Sequence, residues 1–368
     1  MQNSISSRLN SSRLLFCGVS LGLLSAGVHA QSAPRAALLV VNQGDSNVSI
    51  VDSGTGTPGT AAPGTGNSGT AASGAARQVG TIAENTPGMH GHEIAVSLDG
   101  RTAYLPIYGS TGVGKPGLSG RTMLVLDVQS QKIAGQVDFG HEVRPHLPVV
   151  DPVSGLLYVT TELDKTVTVI DPRTLKIVGA IPTGQAESHM LALSHDGRRG
   201  YTANVGPGTV SVLDMVGRKT LAVIPVSGNT QRISISNDDT LVFTADQTKP
   251  ELAVIDTKSN KVKSWVALPA AGYGTASTKN GQSLLVAVPV AKVVAVVDLA
   301  SLKVVRTIPV PAAPQEILVR PDGKIAYVSC NQSGQVAAID LSQQDPQQWK
   351  VQALIATGKL ADGLAWAK

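Results

Sequence analysis

The chain has 368 residues, enough for two ordinary domains, but 42% hydrophobic, 15% charged and 3% aromatic residues with 38 glycines and 21 prolines suit many short strands joined by tight turns. The formal net charge of +4 falls to +2 when the segment carrying Arg8 and Arg13 is set aside. A near-neutral chain with few aromatic rings has neither the basic footprint nor the stacking platform of a nucleic-acid binder, so nucleic acid is not an expected partner.

In chain order, residues 1–30 put Arg8 and Arg13 ahead of an apolar run from Leu14 to Leu24 and end in Val28-His29-Ala30, the pattern of a secretory signal peptide cut after Ala30. No stretch reaches the roughly 20 apolar residues of a spanning helix. A periplasmic or secreted, soluble monomer without a membrane span is therefore expected. Cleavage removes Cys17 and leaves Cys330 alone, so no intrachain disulfide can form and packing must supply stability.

The segment LLVVNQGDSNVSIVD, residues 38–52, reads as two strands, and Gln78 to Ala83 as a third. Between them, 53–76 is almost wholly Gly, Thr, Ala, Ser and Pro, a solvated loop with no fold of its own. A unit of four strands then recurs. Its plainest copies are HLPVVDPVSGLLYVTTELDKTVTVID, from His146, and HMLALSHDGRRGYTANVGPGTVSVLD, from His189, 43 residues later.

Scanning at that period finds first strands opening at His92, His146, His189, Gln231, Tyr273, Gln315 and Asp362. Each first strand leads to a turn such as Leu98-Asp99-Gly100 or Pro321-Asp322-Gly323, then to a second strand such as LYVTT, GYTAN or AYVSC. A third strand ends in Asp at Asp127, Asp171, Asp214, Asp256, Asp298 and Asp340, where a side-chain-to-backbone hydrogen bond is expected rather than calcium. The second unit carries a longer connection, Tyr108 to Arg121, read as a long rim loop.

Four antiparallel strands in about 40 to 45 residues is the pattern of a propeller blade. The N-terminal unit lacks a first strand, and the stretch from Asp362 to Lys368 is a first strand with nothing after it. If the last completes the first, residues 31–368 form an all-β, seven-bladed β-propeller of four-stranded antiparallel blades closed by its C-terminal strand, which leaves no open edge at the seam.

GYTANVGPGTVSVLD, LYVTTELDKTVTVID and AYVSCNQSGQVAAID resemble the YVTN-type repeats of secreted seven-bladed propellers, and the resemblance covers roughly the whole mature chain. It extends to the wider group that includes lactonases of the phosphogluconolactonase type and muconate-lactonising enzymes, which implies a lactonase-like activity. The matching residues are strand and turn positions, and Ile107, Thr161, Asp246, Val288 and Cys330 stand where the repeat prefers Asn. No catalytic motif of the lactonases carries over residue by residue.

In a propeller the first strands ring a central channel, and the loops leading into them share one face with the connections between second and third strands. The opening residues His92, His146, His189, Gln231, Tyr273, Gln315 and Asp362, with Glu93, Arg144, Arg232 and Glu316, are the expected ligand-binding set for a small molecule, glycan or protein partner. His146, His189, Arg232 and Glu187 are the catalytic candidates should the rim open a lactone or run a lyase reaction, which needs a general base and an oxyanion-stabilising cation. His90, His92, His146 and His189 are the candidates for holding a divalent transition-metal ion, the cofactor such donors would accept. Binding, enzymatic and metal readings all stay open on these residues, while His195 falls in a turn on the opposite face.

Overall fold

Successive side chains of a strand point to opposite sides, and along Ala37–Asn42 all six are buried. Leu39 and Val41 pack with Ile94, Leu105 and Ile107. Leu38 and Val40 pack with Ile325, Tyr327 and Val336. One strand thus serves two separate cores, one on each side of its sheet, which accounts for continuous rather than alternating apolar runs.

In the computed structural model, which describes residues 36–54 and 76–368, seven sheets repeat this arrangement as the blades of a β-propeller. The signal-peptide expectation for 1–30 and nearly all of the 53–76 loop expectation lie outside the described residues. Each of the seven hydrophobic clusters joins two neighbouring blades, the seventh to the first included. Among the described residues the helical content is three single 3-10 turns, and no helix is long and apolar enough to cross a membrane.

The ring closes as the unit count requires. Ala361–Ala367 pairs antiparallel with Ala37–Asn42, so the last strand is the innermost strand of the first blade. Gly363, on the closing strand, packs tightly on the second blade: its N–H donates to the His92 carbonyl at 2.9 Å, and a Cβ there would lie 2.7 Å from Glu93 Cα. Turn chemistry also matches. The backbone N–H of Arg101, Arg198 and Lys324 donates to Asp99, Asp196 and Asp322, and the glycine between each pair has φ of +76°, +69° and +72°. Asp127, Asp171, Asp214, Asp256, Asp298 and Asp340 each accept a backbone N–H from two or three residues on, the bond expected in place of calcium.

Three boundaries differ from expectation. The second blade's first strand is broken into His90–Gly91 and Ala95–Val96, so His92 sits in the break. The sixth blade's begins at Thr275, after Tyr273, because Gly272 and Gly274 precede it and the Gly274 backbone packs against that of Gln315. The rim loop of 108–121 is shorter, since Thr102–Gly109 pairs with Ser119–Asp127 and leaves only 110–118 as the turn. Glycine permits the extension: a Cβ on Gly120 would collide with the Ile107 carbonyl.

Deleting Asp362 to Lys368 should expose the edge of Ala37–Asn42 and remove Leu364 from its cluster. The truncated chain is expected to melt lower or aggregate, read by thermal unfolding and size-exclusion chromatography. An unchanged melting temperature would contradict the seam.

Candidate functional site

Register shifts at the channel face decide which side chains reach it. They occur in the pairing of first and second strands in six blades, opposite Asn42, Ile107, Thr161, Asn204, Asp246 and Cys330. A bulge re-aims side chains locally, so residues adjacent in sequence, such as Gln231 and Arg232, both make contacts across blades. The result is two adjoining groups of polar side chains.

The first group is imidazole-rich. His92, His146 and His189, from three consecutive blades, are 9%, 2% and 2% exposed. The rings of His146 and His189 lie 3.6 Å apart between centroids, and His92 stands 5.4 Å from His146. His90 stacks on His92 at 5.1 Å.

Tyr108 occupies the centre, 4.8, 5.2 and 5.7 Å from His92, His146 and His189. Its hydroxyl donates to Glu162 Oε2 at 2.6 Å, and that oxygen is 3.4 Å from His189 Nδ1. On the other side of His189, Nε2 is 3.1 Å from Gln231 Nε2, and Gln231 is in turn bonded to Gln247.

The 110–118 turn lies against this group. Arg144, 6% exposed and in the left-handed region at φ +49°, donates from Nη2 to the Lys115 carbonyl at 2.8 Å and from Nε to Ser119 Oγ at 3.0 Å. Its guanidinium lies 5.5 Å from the Tyr108 ring centre. The tip of the turn reaches the fourth blade, where a Cβ on Gly114 would be 3.0 Å from Glu187 Oε1.

The second group is a buried charge cluster. The Arg232 guanidinium of the fifth blade is 2.6 Å from Glu93, 2.7 Å from Glu316 and 2.7 Å from Asp362, on the second, seventh and first blades. Tyr273 lies under it, ring centre 5.1 Å away, and Gln43 donates to Asp362. Three carboxylates face one cation, with Glu93 and Asp362 buried and the Glu316 side chain 18% exposed.

These surroundings set protonation. Burial pushes His92 and His146 well below the usual imidazole range, and the nearby His90, His189, His92 and Arg232 add to it, so both rings are neutral at pH 7. Burial lowers His90 as well. Burial would raise Glu162, but the His189 and Tyr108 contacts and the Arg144 charge outweigh it and hold the carboxylate below its ordinary value.

In the charge cluster, burial drives Glu93 well up; Arg232 opposes this, and Glu316 and Asp362 reinforce it. Asp362 is pushed up to about 6, again mainly by burial. The cluster therefore retains protons that free carboxylates would have lost.

Most predicted site residues meet, but not as one ring. His90, His92, His146, His189, Gln231 and Arg144 belong to the first group, and Glu93, Arg232, Tyr273, Glu316 and Asp362 to the second. Gln315 and Glu187 make no side-chain hydrogen bond among the described residues. His195 pairs with Asp239 at 2.6 Å in an exposed turn, apart from the site. Among the described residues no three His, Cys, Asp or Glu side chains are arranged to hold a metal ion.

Tyr108, Glu162, Gln247 and Gln43 were not among the predicted site residues, yet they share a signal. Each follows directly on the residue aligned with the repeat's Asn, at Ile107, Thr161, Asp246 and Asn42. For Glu162, Gln247 and Gln43 that position is one step beyond the second strand, and for Tyr108 it falls within the extended one; each faces the opening residue of its own or the neighbouring first strand.

Residues 152–305 match the family model of the cytochrome D1 heme domain. This is less than half of the chain. Among solved structures, a hydrazine synthase chain from Kuenenia stuttgartiensis superposes with a TM-score of 0.63 at 19% identity, covering 76% of this chain and 90% of that one. In all, 1676 solved chains match, so the architecture alone selects no activity. No curated protein matches.

Two outcomes are expected for the charged groups. Arg232→Met strands three carboxylates and should cost roughly 3–5 kcal/mol at pH 8, as for breaking a buried ion pair. Glu93 and Asp362 have raised values, so they contribute fully below the unfolded carboxylate range and less as pH rises through about 6. The deficit should accordingly shrink at pH 5. Urea unfolding at both pH values reads this, and a pH-independent deficit would count against the cluster.

Glu84, 2% exposed, accepts the Gly91 N–H at 3.0 Å and is raised by burial to about 7. Its ionisation costs stability as pH rises from 4.5 through 7. Glu84→Gln should therefore stabilise by up to about 3 kcal/mol at pH 8 and by progressively less towards pH 5. A gain equal at both pH values would contradict this assignment.

Proposed function

We propose that this is an exported binding protein, periplasmic or secreted after cleavage near Ala30, that takes a small molecule at the channel face beneath the 110–118 turn. The observation that carries the reading is a pair of buried, unpartnered donors or acceptors: His92 Nε2 and His146 Nδ1 have no hydrogen-bond partner. A buried unpaired polar group costs about 1–3 kcal/mol. A protein that retains two in one cluster gains them as contacts when a ligand arrives. The donors are sunk below the rim, which suits a small molecule better than a flat protein surface.

An open groove of about 670 Å³ lies on the opposite face between the fifth and sixth blades, lined by Asn237, Lys279, Asn280 and Asp298 among others. None of its side chains carries a buried unpaired polar atom, so it gives weaker support for a site. Turnover is also less well supported than binding. His189 is oriented by Glu162, as a catalytic base would be, but its other nitrogen is already met by Gln231 at 3.1 Å.

Haem is suggested by the description of the matched family. The residues present do not fit it at the channel face: an axial imidazole needs an open slot beside it, whereas His146 and His189 are packed ring against ring and capped by Tyr108 and the Arg144-anchored turn. No step is assigned to haem.

A panel of small polar compounds, read by thermal shift, tests the proposal. At least one should stabilise the mature protein, by about 2.7 kcal/mol at a hundredfold excess over Kd. His146→Ala, folded by circular dichroism, should lose that shift. Equal shifts in both proteins would overturn the channel-face site.

A further inference from the structure

Of the two buried arginines among the described residues, one is paired with carboxylates and one is not. Arg232 faces three carboxylates at 2.6–2.7 Å. Arg144 takes part in none of the ion pairs; its donors go to a hydroxyl and a backbone carbonyl, both neutral. Buried charges are ordinarily paired, because an uncompensated one is costly.

Glu162, the buried carboxylate that feels the Arg144 charge, makes no ion pair with it and is taken up by Tyr108 and His189. Of the other acids on this rim, Glu187 lies beside Gly114, Asp164 pairs with exposed His141, and Glu142 is exposed. Around the same Tyr108 ring stand His92 and His146, each with an unpartnered nitrogen.

Resting on the channel-face reading above, we infer that the ligand carries an oxyanion, of carboxylate or phosphate type, held by the Arg144 guanidinium together with His92 and His146. A guanidinium offers a rigid fork that matches such groups two bonds at a time, and an oxyanion adds the opposite charge that the Ser119 hydroxyl and Lys115 carbonyl lack. Exchange of the Lys115 carbonyl for the oxyanion also releases one tie on the turn and thereby admits the ligand. Arg232 already faces three carboxylates, so its charge is balanced within the framework.

The experiment titrates the full mature chain with malonate, with inorganic phosphate and with the neutral analogue malonamide at matched ionic strength, by calorimetry. Saturable binding of malonate or phosphate but not malonamide is expected, and which anion binds more tightly separates planar from tetrahedral groups. Arg144→Gln should weaken binding at least tenfold, and Arg144→Lys, which keeps the charge and loses the fork, should weaken it less. Arg144→Lys also serves as the reporter should the Gln variant fail to fold.

Equal binding of malonamide, undiminished affinity in the folded Arg144 variants, or no binding of either anion would overturn the inference. A neutral compound whose binding depends on His146, with no oxyanion bound, would sink this inference and leave the channel-face site standing. Ligands insensitive to both His146 and Arg144 would sink both.

Discussion

The constraint on which the molecule depends is closure of the ring. Seven blades with two buried faces each require seven interfaces, and the last exists only because Ala361–Ala367 joins Ala37–Asn42. The seam is also the place where the chain's polar machinery is tied together. Asp362, on the closing strand, meets Arg232 from across the channel, and Arg232 meets Glu93 and Glu316 in the blades flanking the seam. Apolar packing holds neighbours together, while one guanidinium links blades that are not neighbours.

The two polar groups divide the work on physical grounds. Around Arg232, three carboxylates balance one cation, and burial raises two of them, Glu93 and Asp362. Around Tyr108 the opposite holds: His92 and His146 are neutral, one carboxylate is shared by Tyr108 and His189, and a cation has only neutral hydrogen-bond acceptors. The same depth of burial produces both, since it raises carboxylates and lowers imidazoles alike.

Much of the architecture could be read from period alone. Repeats of 42 and 43 residues, Asp-Gly turns and terminal aspartates are local features, and each appears where the pattern puts it. The opening histidines were legible for the same reason, as a fixed phase of the repeat. What was not legible depends on pairing across strands. The bulges opposite Asn42, Thr161 and Asp246 have no composition of their own, and without them Gln231 and Arg232 would point to opposite sides. Tyr108 was hidden because a loop was expected where Gly109 and Ser119 pair, and the partition of the ring into an imidazole group and a carboxylate group rests on distances that no periodicity contains.

The seam carries one more consequence. Because the innermost strand of the first blade is Ala361–Ala367, the ring cannot close until that distant segment reaches Ala37–Asn42. Contacts between Ala37 and Ala367 span the whole chain, which places this fold at the slow, non-local end of folding topologies. Whether the circle shuts thus rests on Ala361–Ala367, a segment far along the chain from the strand that it completes.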